Sequence, residues 1–426
     1  MESLLFNFKI RKSFLNSFLI FTFAFISAPL NLGGTVVPNF FALILIVLLV
    51  IKYYPSLEIF DKRYLAYSLL FFLFSIHITL HSELYVEKYK GLIQIMLSLS
   101  IFAVAMSVGI KRGLISERNI GLAILILLIL SLVEIFVPGM HNLTDLVRHK
   151  IFHQHVYTNY ERDIILSGHL RPTLFSSEPS HVTKMFFVLM TSYGILIRNY
   201  FWPKMIFLLL VGMYIFASPT ILLSLILVFI LRYYHKIFNF RKFGFLYMLL
   251  GGTLLIFLSF FLVQHLFTGL GERLSRTVAG SDGSFAMRIV FPYISVYDVF
   301  ASKNYLGIGL SAKEYIEGIS TLDGLDLDYT SMLGNNAFAH SLIYFGVMAI
   351  LFYYLLLKYL AIKTGQAPFY FFILIFTFSN NIGGLETPRY WVFLSLMCLS
   401  AEMSRRNRLD DEKGDSFIEG RKLKVV

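Results

Sequence analysis

Apolar segments of about 20 residues recur along the chain, and no other feature constrains its fold as strongly. A helix that crosses a bilayer needs about 20 apolar residues, because the hydrocarbon core is roughly 30 Å thick and a helix rises about 1.5 Å per residue. The segments predict an all-α polytopic membrane protein with about 12 transmembrane helices. The predicted spans lie near residues 14–30, 36–54, 64–82, 92–110, 119–137, 182–198, 205–217, 220–234, 243–266, 337–357, 367–381 and 390–404.

The seventh and eighth predicted spans are short and are separated only by Ser218 and Pro219. The sequence therefore leaves open whether 205–217 and 220–234 are two separate spans or one broken helix.

Composition excludes several other classes of protein. Hydrophobic residues make up 57% of the chain and charged residues 15%, against roughly 45–50% and 25% in soluble domains. The net charge of +11 comes from short basic clusters between apolar runs, which argues against a soluble nucleic-acid-binding protein. The single cysteine, Cys398, has no partner in the chain and excludes a disulfide scaffold.

The distribution of Lys and Arg predicts the orientation of the spans. Basic residues are retained on the cytoplasmic side of a membrane. With the N-terminus inside, 24 of the 37 basic residues lie in or beside the cytoplasmic segments. Both termini are then cytoplasmic. We expect residues 1–404 to form a single transmembrane domain and residues 405–426 to form a cytoplasmic tail.

Polar residues are concentrated in two long exterior segments, 138–181 and 267–336. Loops of this length usually have a function or are disordered. Both segments contain aromatic and aliphatic residues, so we expect short helices that lie on the outer membrane surface and cover a cavity between the spans. The spans themselves contain few ionisable groups at mid-depth, which weakens the alternative of an ion-coupled transporter.

The first exterior segment ends in a polar cluster that contains Arg171 and the run Glu178-Pro179-Ser180, directly before the sixth span. The exposed amides at the start of a helix favour anions. An alternative is that Pro179 and Ser180 merely start the helix, while Arg171 extends to a lipid phosphate. The residues alone leave both interpretations open.

The second exterior segment contains Arg288 after a Gly- and Ser-rich stretch, then Gly307-Ile308-Gly309, and it leads to His340 at the start of the tenth span. A guanidinium group binds phosphate through paired, charge-assisted hydrogen bonds. A histidine at a helix start can act as a base near neutral pH. An ordinary interfacial histidine is the alternative for His340.

In order and spacing, these motifs resemble the O-antigen polymerase and O-antigen ligase superfamily. The resemblance implies a membrane glycosyltransferase of the bacterial inner membrane that needs no metal or cofactor and whose active site faces the periplasm. Its donor is an oligosaccharide on undecaprenyl diphosphate, and its further partners include a chain-length regulator and a flippase, but no nucleic acid. Glu178-Pro179-Ser180 is more typical of polymerases, and His340-Ser341 departs from the His-Asn pair usual in ligases.

By this resemblance, Arg171 and Arg288 bind the diphosphate. Either His340 or Glu178 takes the proton of the acceptor hydroxyl; we rank Glu178 slightly lower as the base because His340 has the better intrinsic pKa for that task. The favoured function is a polymerase that joins lipid-linked repeat units. The alternatives are a ligase that transfers glycan to lipid A-core and, from another class, a flippase or exporter of lipid-linked oligosaccharide.

The diphosphate role of Arg288 predicts the effect of replacing it with lysine. Arg288→Lys keeps the positive charge, yet we expect impaired polymer formation, because a single ammonium group cannot reproduce the planar fork of the guanidinium. The chain-length distribution of the cell-surface glycan measures this. A normal ladder in the variant would count against the role.

Overall fold

The structure is a computed structural model that describes residues 30–32, 35–37, 57–78, 85–112, 115–152, 157–174, 176–234, 286–309, 336–385 and 387–422. Within these ranges the regular structure is helical except for one hairpin of two antiparallel strands, β1 (Leu30–Leu32) and β2 (Thr35–Val37). The helices are α1 (Ile59–Ile78), α2 (Tyr85–Arg112), α3 (Glu117–Phe136), α4 (Met140–Phe152), α5 (Tyr160–Ser167), α6 (Pro179–Leu196), α7 (Phe201–Phe216), α8 (Thr220–Arg232), α9 (Phe291–Ala301), α10 (Ala337–Phe345), α11 (Met348–Thr364), α12 (Pro368–Ser379) and α13 (Pro388–Lys422).

The helical class predicted from the sequence is confirmed in the described residues. Two helical stretches, Gly91–Lys111 and Glu117–Phe136, are long and apolar enough to cross a membrane, as judged by length and composition. Helices α7, α8 and α12 are apolar but shorter. The number of 12 transmembrane helices stays a prediction. The predicted span 243–266, and those near 14–30 and 36–54 apart from the hairpin, lie outside the described residues.

Three predicted boundaries differ from the structure or are decided by it. Segments 205–217 and 220–234 are two separate helices, because Ala217, Ser218 and Pro219 form a tight turn between α7 and α8. The span predicted at 337–357 is not one continuous helix, since the helix is interrupted between α10 and α11 at Gly346. The helix of the last predicted span does not end at residue 404, because α13 continues to Lys422 and includes most of the predicted tail; the end of the span itself stays a prediction.

The break at Gly346 has a tertiary cause. The amide of Val347 donates to the carbonyl of Tyr305 at 2.9 Å, so a backbone group from the preceding exterior segment takes a donor that a continuous helix would use internally. Gly346 itself has a φ of +54°, which favours glycine. The pattern of residues within 337–357 does not contain this information.

Helix α6 lies between α8 and α13, and α13 also packs along α2. Glycines allow the close approach that these contacts require. A Cβ atom on Gly194 of α6 would lie 2.5 Å from Val228 of α8, and one on Gly109 of α2 would lie 2.5 Å from Leu399 of α13. Small residues at helix interfaces are typical of packing in membranes. Helices α6 and α13 are thereby packed closely against their neighbours.

Segments that were predicted to lie on the same side of the membrane contact one another. Lys363 donates to Glu58 and Asp61 at 2.9 Å each, and Lys204 donates to Glu117 at 2.8 Å. All five residues belong to segments predicted to be cytoplasmic or to their immediate ends. The charged groups of several separate chain segments therefore meet at one end of the helices.

The segments predicted to be exterior lie at the opposite end of the helices. The end of α3 contacts the residues that precede α6, and the start of α9 contacts the end of α12. The exterior segment 138–181 contains the short helices α4 and α5, which confirms that it is not a simple loop. In the second exterior segment, residues 267–285 and 310–335 lie outside the described residues.

The Gly307-Ile308-Gly309 motif docks onto the end of α10. The amides of Ile308 and Gly309 donate to the carbonyls of Ile343 and Tyr344, each at 3.0 Å. Gly307 has a φ of +83°, and a Cβ atom there would lie 2.4 Å from the carbonyl oxygen of Tyr344. The motif is thus a backbone contact that fixes the helix carrying His340.

This contact predicts that Gly307→Ala is more destabilising than the same change at a glycine with similar backbone angles but open surroundings. A left-handed backbone alone costs alanine about 1–2 kcal/mol, and the clash with Tyr344 adds to that cost. Gly139 is the matched control, because its φ is +81° and a Cβ atom there would meet no other atom within 4 Å. Thermal unfolding of both variants in detergent measures the difference; equal losses would contradict the docking.

Candidate functional site

Residues 171–174 and 176–177 belong to the connection between α5 and α6, and we call them the 171–177 stretch. Three ionisable residues from three different helices hold this stretch: Glu134 of α3, Arg148 of α4 and Asp163 of α5. All three residues are buried, with 3%, 0% and 1% of their surface exposed. A buried charge is tolerated only when hydrogen bonds or an opposite charge compensate it, and each of these has such partners.

Glu134 binds the backbone of the stretch directly. One carboxylate oxygen accepts hydrogen bonds from the amide and the hydroxyl of Thr173 at 3.2 and 2.8 Å and from the hydroxyl of Thr144 at 2.9 Å. The other oxygen accepts from the amide of Leu174 at 2.6 Å. Leu174 has a φ of +48°, which is unusual for a residue with a side chain. The carboxylate therefore stabilises a strained turn.

Arg148 binds the carbonyl groups that follow. Its Nε donates to Ser176 at 2.8 Å and its Nη2 donates to Ser177 at 2.9 Å, while its Nη1 forms an ion pair with Asp145. Asp145 also accepts a hydrogen bond from the phenol of Tyr160. Burial and that carboxylate raise the pKa of Tyr160 to about 12, so the phenol stays protonated and donates.

Arg171 forms a buried ion pair of its own. Its Nε donates to Asp163 at 2.7 Å, and only 9% of its surface is exposed. The phenol of Tyr157 donates to the same carboxylate oxygen at 3.0 Å. Burial and the negative charge of Asp163 raise the pKa of Tyr157. Arg171 thus has an observed structural role, whereas its role in binding diphosphate stays a prediction.

Arg288 lies in a single π-helical turn, Ala286–Val290, that leads into α9. The side-chain amide of Asn336 donates to the carbonyl of Arg288 at 2.9 Å and to the side-chain oxygen of Asn380 at 3.0 Å. The phenol of Tyr293 donates to the same oxygen of Asn380 at 2.8 Å. π-helical turns occur frequently at functional sites. Here hydrogen bonds of Asn336 and Asn380 attach the π-helical turn and the start of α9 to α10 and α12.

His340 lies one turn into α10, and the same Asn336 caps that helix. The side-chain oxygen of Asn336 accepts from the amide of Ala339 at 2.9 Å, as expected for a residue that caps a helix start. His340 is buried, with 3% of its surface exposed, and its imidazole packs against the ring of Tyr344 with centroids 3.9 Å apart. Asn336 therefore joins the segment of Arg288 to the helix of His340.

Basic side chains gather where α6 and α13 begin. The charge of Lys184 interacts with those of Arg288, Arg389 and Glu178, and His181 interacts with the same two arginines and with Lys184. Lys184 has 5% of its surface exposed. Glu178 is exposed and accepts a hydrogen bond from the hydroxyl of Ser180 at 2.7 Å. We call Lys184, Arg288 and Arg389 the cationic cluster.

The structure brings some of the predicted site residues together and leaves another apart. Glu178 and Arg288 both act on the charge of Lys184, and the segment of Arg288 is bonded to the helix of His340. In the described part of the chain, the Arg171 guanidinium contacts Asp163 and Tyr157 rather than the cationic cluster. The predicted pairing of Arg171 with Arg288 is not observed as a contact.

Sequence reasoning missed Arg389, Lys184 and the three residues that hold the 171–177 stretch. A signal for Lys184 was available, because His181 and Lys184 are three residues apart and so lie on one face of a helix. Arg389 follows Pro388 at the start of the last apolar run, which is the only hint that it begins a helix. Nothing in the local sequence pairs Glu134 or Arg148 with residues 173–177.

Metal ligands were not predicted. Among the described residues, no group of three or more His, Cys, Asp or Glu side chains is arranged to hold a metal ion. His149 lies on α4 with an exposed side chain, whereas His153 and His155, the other two histidines of that part of the sequence, lie outside the described residues.

Comparisons with known proteins add no relative. No family model matches the sequence, and no curated protein matches it. The residues and their geometry are therefore the basis for a function.

The role of Glu134 predicts that Glu134→Gln loosens the 171–177 stretch. The amide replaces one acceptor oxygen by a donor that faces other donors, and loss of hydrogen bonds to a charged acceptor costs about 1.5–3 kcal/mol. We expect a lower unfolding temperature and faster hydrogen exchange at the amides of Thr173 and Leu174. Glu161→Gln, an exposed change on α5, is the control. Unchanged exchange at both amides would refute the role.

Proposed function

We propose that this protein is a polymerase of O-antigen or a related surface polysaccharide, located in the bacterial inner membrane with its active site facing the periplasm. One observation supports the proposal above all. The segments of Glu178, Arg288 and His340, which are distant in sequence, converge at one end of the helices beside a cluster of cations. A reaction on a lipid-linked diphosphate requires this combination of cationic and proton-accepting groups at a membrane surface.

The orientation is supported by the two ends of the molecule. The segments predicted to be cytoplasmic from their basic residues contact one another at one end, and the convergent site lies at the other. A site on the periplasmic face has no access to nucleotide sugars. A donor that carries its energy in an anomeric phosphate bond meets that condition.

The reaction transfers the glycan of one lipid-linked chain to a hydroxyl group of another. A bond forms between the acceptor oxygen and C1 of the donor's reducing-end sugar, and the bond from C1 to the phosphate oxygen breaks. Undecaprenyl diphosphate leaves with the electron pair of that bond. Arg288 stabilises the charge that develops on the leaving oxygen, and one such preorganised donor contributes roughly 3–4 kcal/mol.

The acceptor proton goes to Glu178 or to His340. The structure favours Glu178, because its carboxylate is exposed beside the cationic cluster, whereas the imidazole of His340 is buried against Tyr344. This reverses the order suggested by their intrinsic pKa values. The hydrogen bond from Ser180 orients the carboxylate of Glu178.

The buried contacts of Glu134, Arg148 and Asp163 serve the same reaction. They bind the described residues of the 171–177 stretch, so Glu178 has a defined position before any substrate binds. Groups that are already placed require no reorganisation when charge develops in the transition state. In this proposal Arg171 supports the site from within the protein as well as by any contact with the lipid.

The proposed proton acceptor makes a quantitative prediction. In purified protein supplied with synthetic undecaprenyl-diphosphate repeat units and EDTA, we expect a ladder of polymer products. Glu178→Gln should lower the rate of transfer by about 10²- to 10⁴-fold, which is the usual contribution of a general base. Glu161→Gln should retain the wild-type rate, and His340→Gln should have a smaller effect than Glu178→Gln.

Three results would contradict the proposal. The absence of a ladder with wild-type protein would exclude a polymerase, and a single transfer to lipid A-core, when that acceptor is added, would identify a ligase. A loss of activity in EDTA that magnesium or manganese restores would reject the metal-independent mechanism. A larger loss in His340→Gln than in Glu178→Gln would reassign the base.

A further inference from the structure

Arg389, the second residue of α13, has a side-chain donor that the described part of the protein does not satisfy. Its Nε atom is buried and has no hydrogen-bond partner among the described residues. The neighbouring residues of α13 do have partners: Tyr390 bonds to Ser379 at 2.6 Å, and the indole of Trp391 donates to the carbonyl of Leu385 at 2.7 Å. The start of α13 is therefore well fixed, and the open donor belongs to the guanidinium.

An unsatisfied guanidinium donor in this position is costly. Buried hydrogen-bond donors are nearly always paired. The acidic group in the described part of the chain whose charge acts on Arg389 is Glu178, which is exposed. Lys184 and Arg288 add like charges nearby. Like charges from α6, α13 and the π-helical turn of Arg288 therefore lie near one another here.

The surroundings define what the open donor would bind. Helices α6 and α13 both begin at a proline, at Pro179 and Pro388, and the first amides of a helix attract anions. Lys184 lies in the second turn of α6 and Arg389 in the first turn of α13. A planar fork and an ammonium group together suit a tetrahedral polyanion better than a single carboxylate.

We propose that Arg389 and Lys184 form a phosphate-binding site at the adjoining starts of α13 and α6, and that this site holds the diphosphate of the lipid-linked substrate together with Arg288. This inference rests on the proposed function for the identity of the substrate. It assigns to Arg389 the place that was predicted for Arg171, whose guanidinium is paired with Asp163.

The full-length protein in detergent tests the site with magnesium-free inorganic pyrophosphate as the probe, at constant ionic strength set with chloride. We expect wild-type protein to bind pyrophosphate and to unfold at a higher temperature in its presence. Arg389→Gln should weaken binding about ten- to hundredfold, as expected for the loss of a charge-assisted hydrogen bond. Lys184→Gln should weaken it in the same direction.

Arg408→Gln is the matched control, because Arg408 lies on the same helix with an exposed side chain. It should bind pyrophosphate as wild-type protein does. Without ligand, Arg389→Gln should unfold at the wild-type temperature or above it, because the guanidinium it removes contains a buried, unsatisfied donor. A lower unfolding temperature with unchanged pyrophosphate affinity would show a structural role and overturn the site. Failure of wild-type protein to bind pyrophosphate would also overturn it.

The source of the phosphate is tested in nanodiscs of phosphatidylcholine with and without phosphatidylglycerol. Pyrophosphate binding that is independent of phosphatidylglycerol supports the substrate diphosphate as the ligand. Competition by phosphatidylglycerol that Arg389→Gln abolishes supports the same phosphate site with a lipid headgroup as its ligand. If the protein makes no polymer but binds pyrophosphate in a manner that depends on Arg389, the proposed function is rejected and the phosphate site is kept. If Arg389→Gln forms polymer normally and binds pyrophosphate as wild-type protein does, the phosphate site is rejected and the proposed function is kept.

Discussion

The buried carboxylate of Glu134 is the contact on which the exterior end of the molecule depends. It accepts hydrogen bonds from two successive backbone amides, at Thr173 and Leu174, and so fixes a turn whose backbone angles are unfavourable for leucine. The turn sets the path of the chain into α6, and the path sets where Glu178 and Lys184 lie. A single acceptor on α3 thereby determines the position of groups that belong to a different helix.

The same logic applies to the other charges at this end. A low-dielectric surrounding makes an unpaired charge expensive and a paired one strong. Arg148 and Arg171 are paired, with backbone carbonyls and with Asp163 respectively, and both contribute to structure. In the cationic cluster like charges lie near one another, and the buried Nε of Arg389 has no acceptor in the described part of the chain. The paired Arg148 and Arg171 therefore stabilise this end of the molecule, whereas Arg389 has a donor that a ligand would satisfy.

Much of the fold could be predicted from the sequence, because helix formation in this chain follows from apolar runs of the right length. The short helices of the first exterior segment also followed from its aromatic and aliphatic content. The break at Gly346 could not be predicted, since it depends on the carbonyl of Tyr305 and the close approach of Gly307. The extension of α13 beyond residue 404 was missed because polar residues mark the end of an apolar span but do not end a helix.

The candidate site was predictable in part, for a related reason. Motifs show which residue types are available, and they identified Glu178, Arg288 and His340, whose segments do converge. They could not show that Arg171 would form an ion pair with Asp163, eight residues earlier in the chain, because that contact depends on how the chain folds back after α5. Nor could they single out Arg389, which becomes distinctive only when α6 and α13 pack and leave its Nε buried without an acceptor among the described residues. In a chain with few polar groups at this depth, the donor left unsatisfied is therefore a better guide to a ligand than the arginine that stands in a recognisable motif.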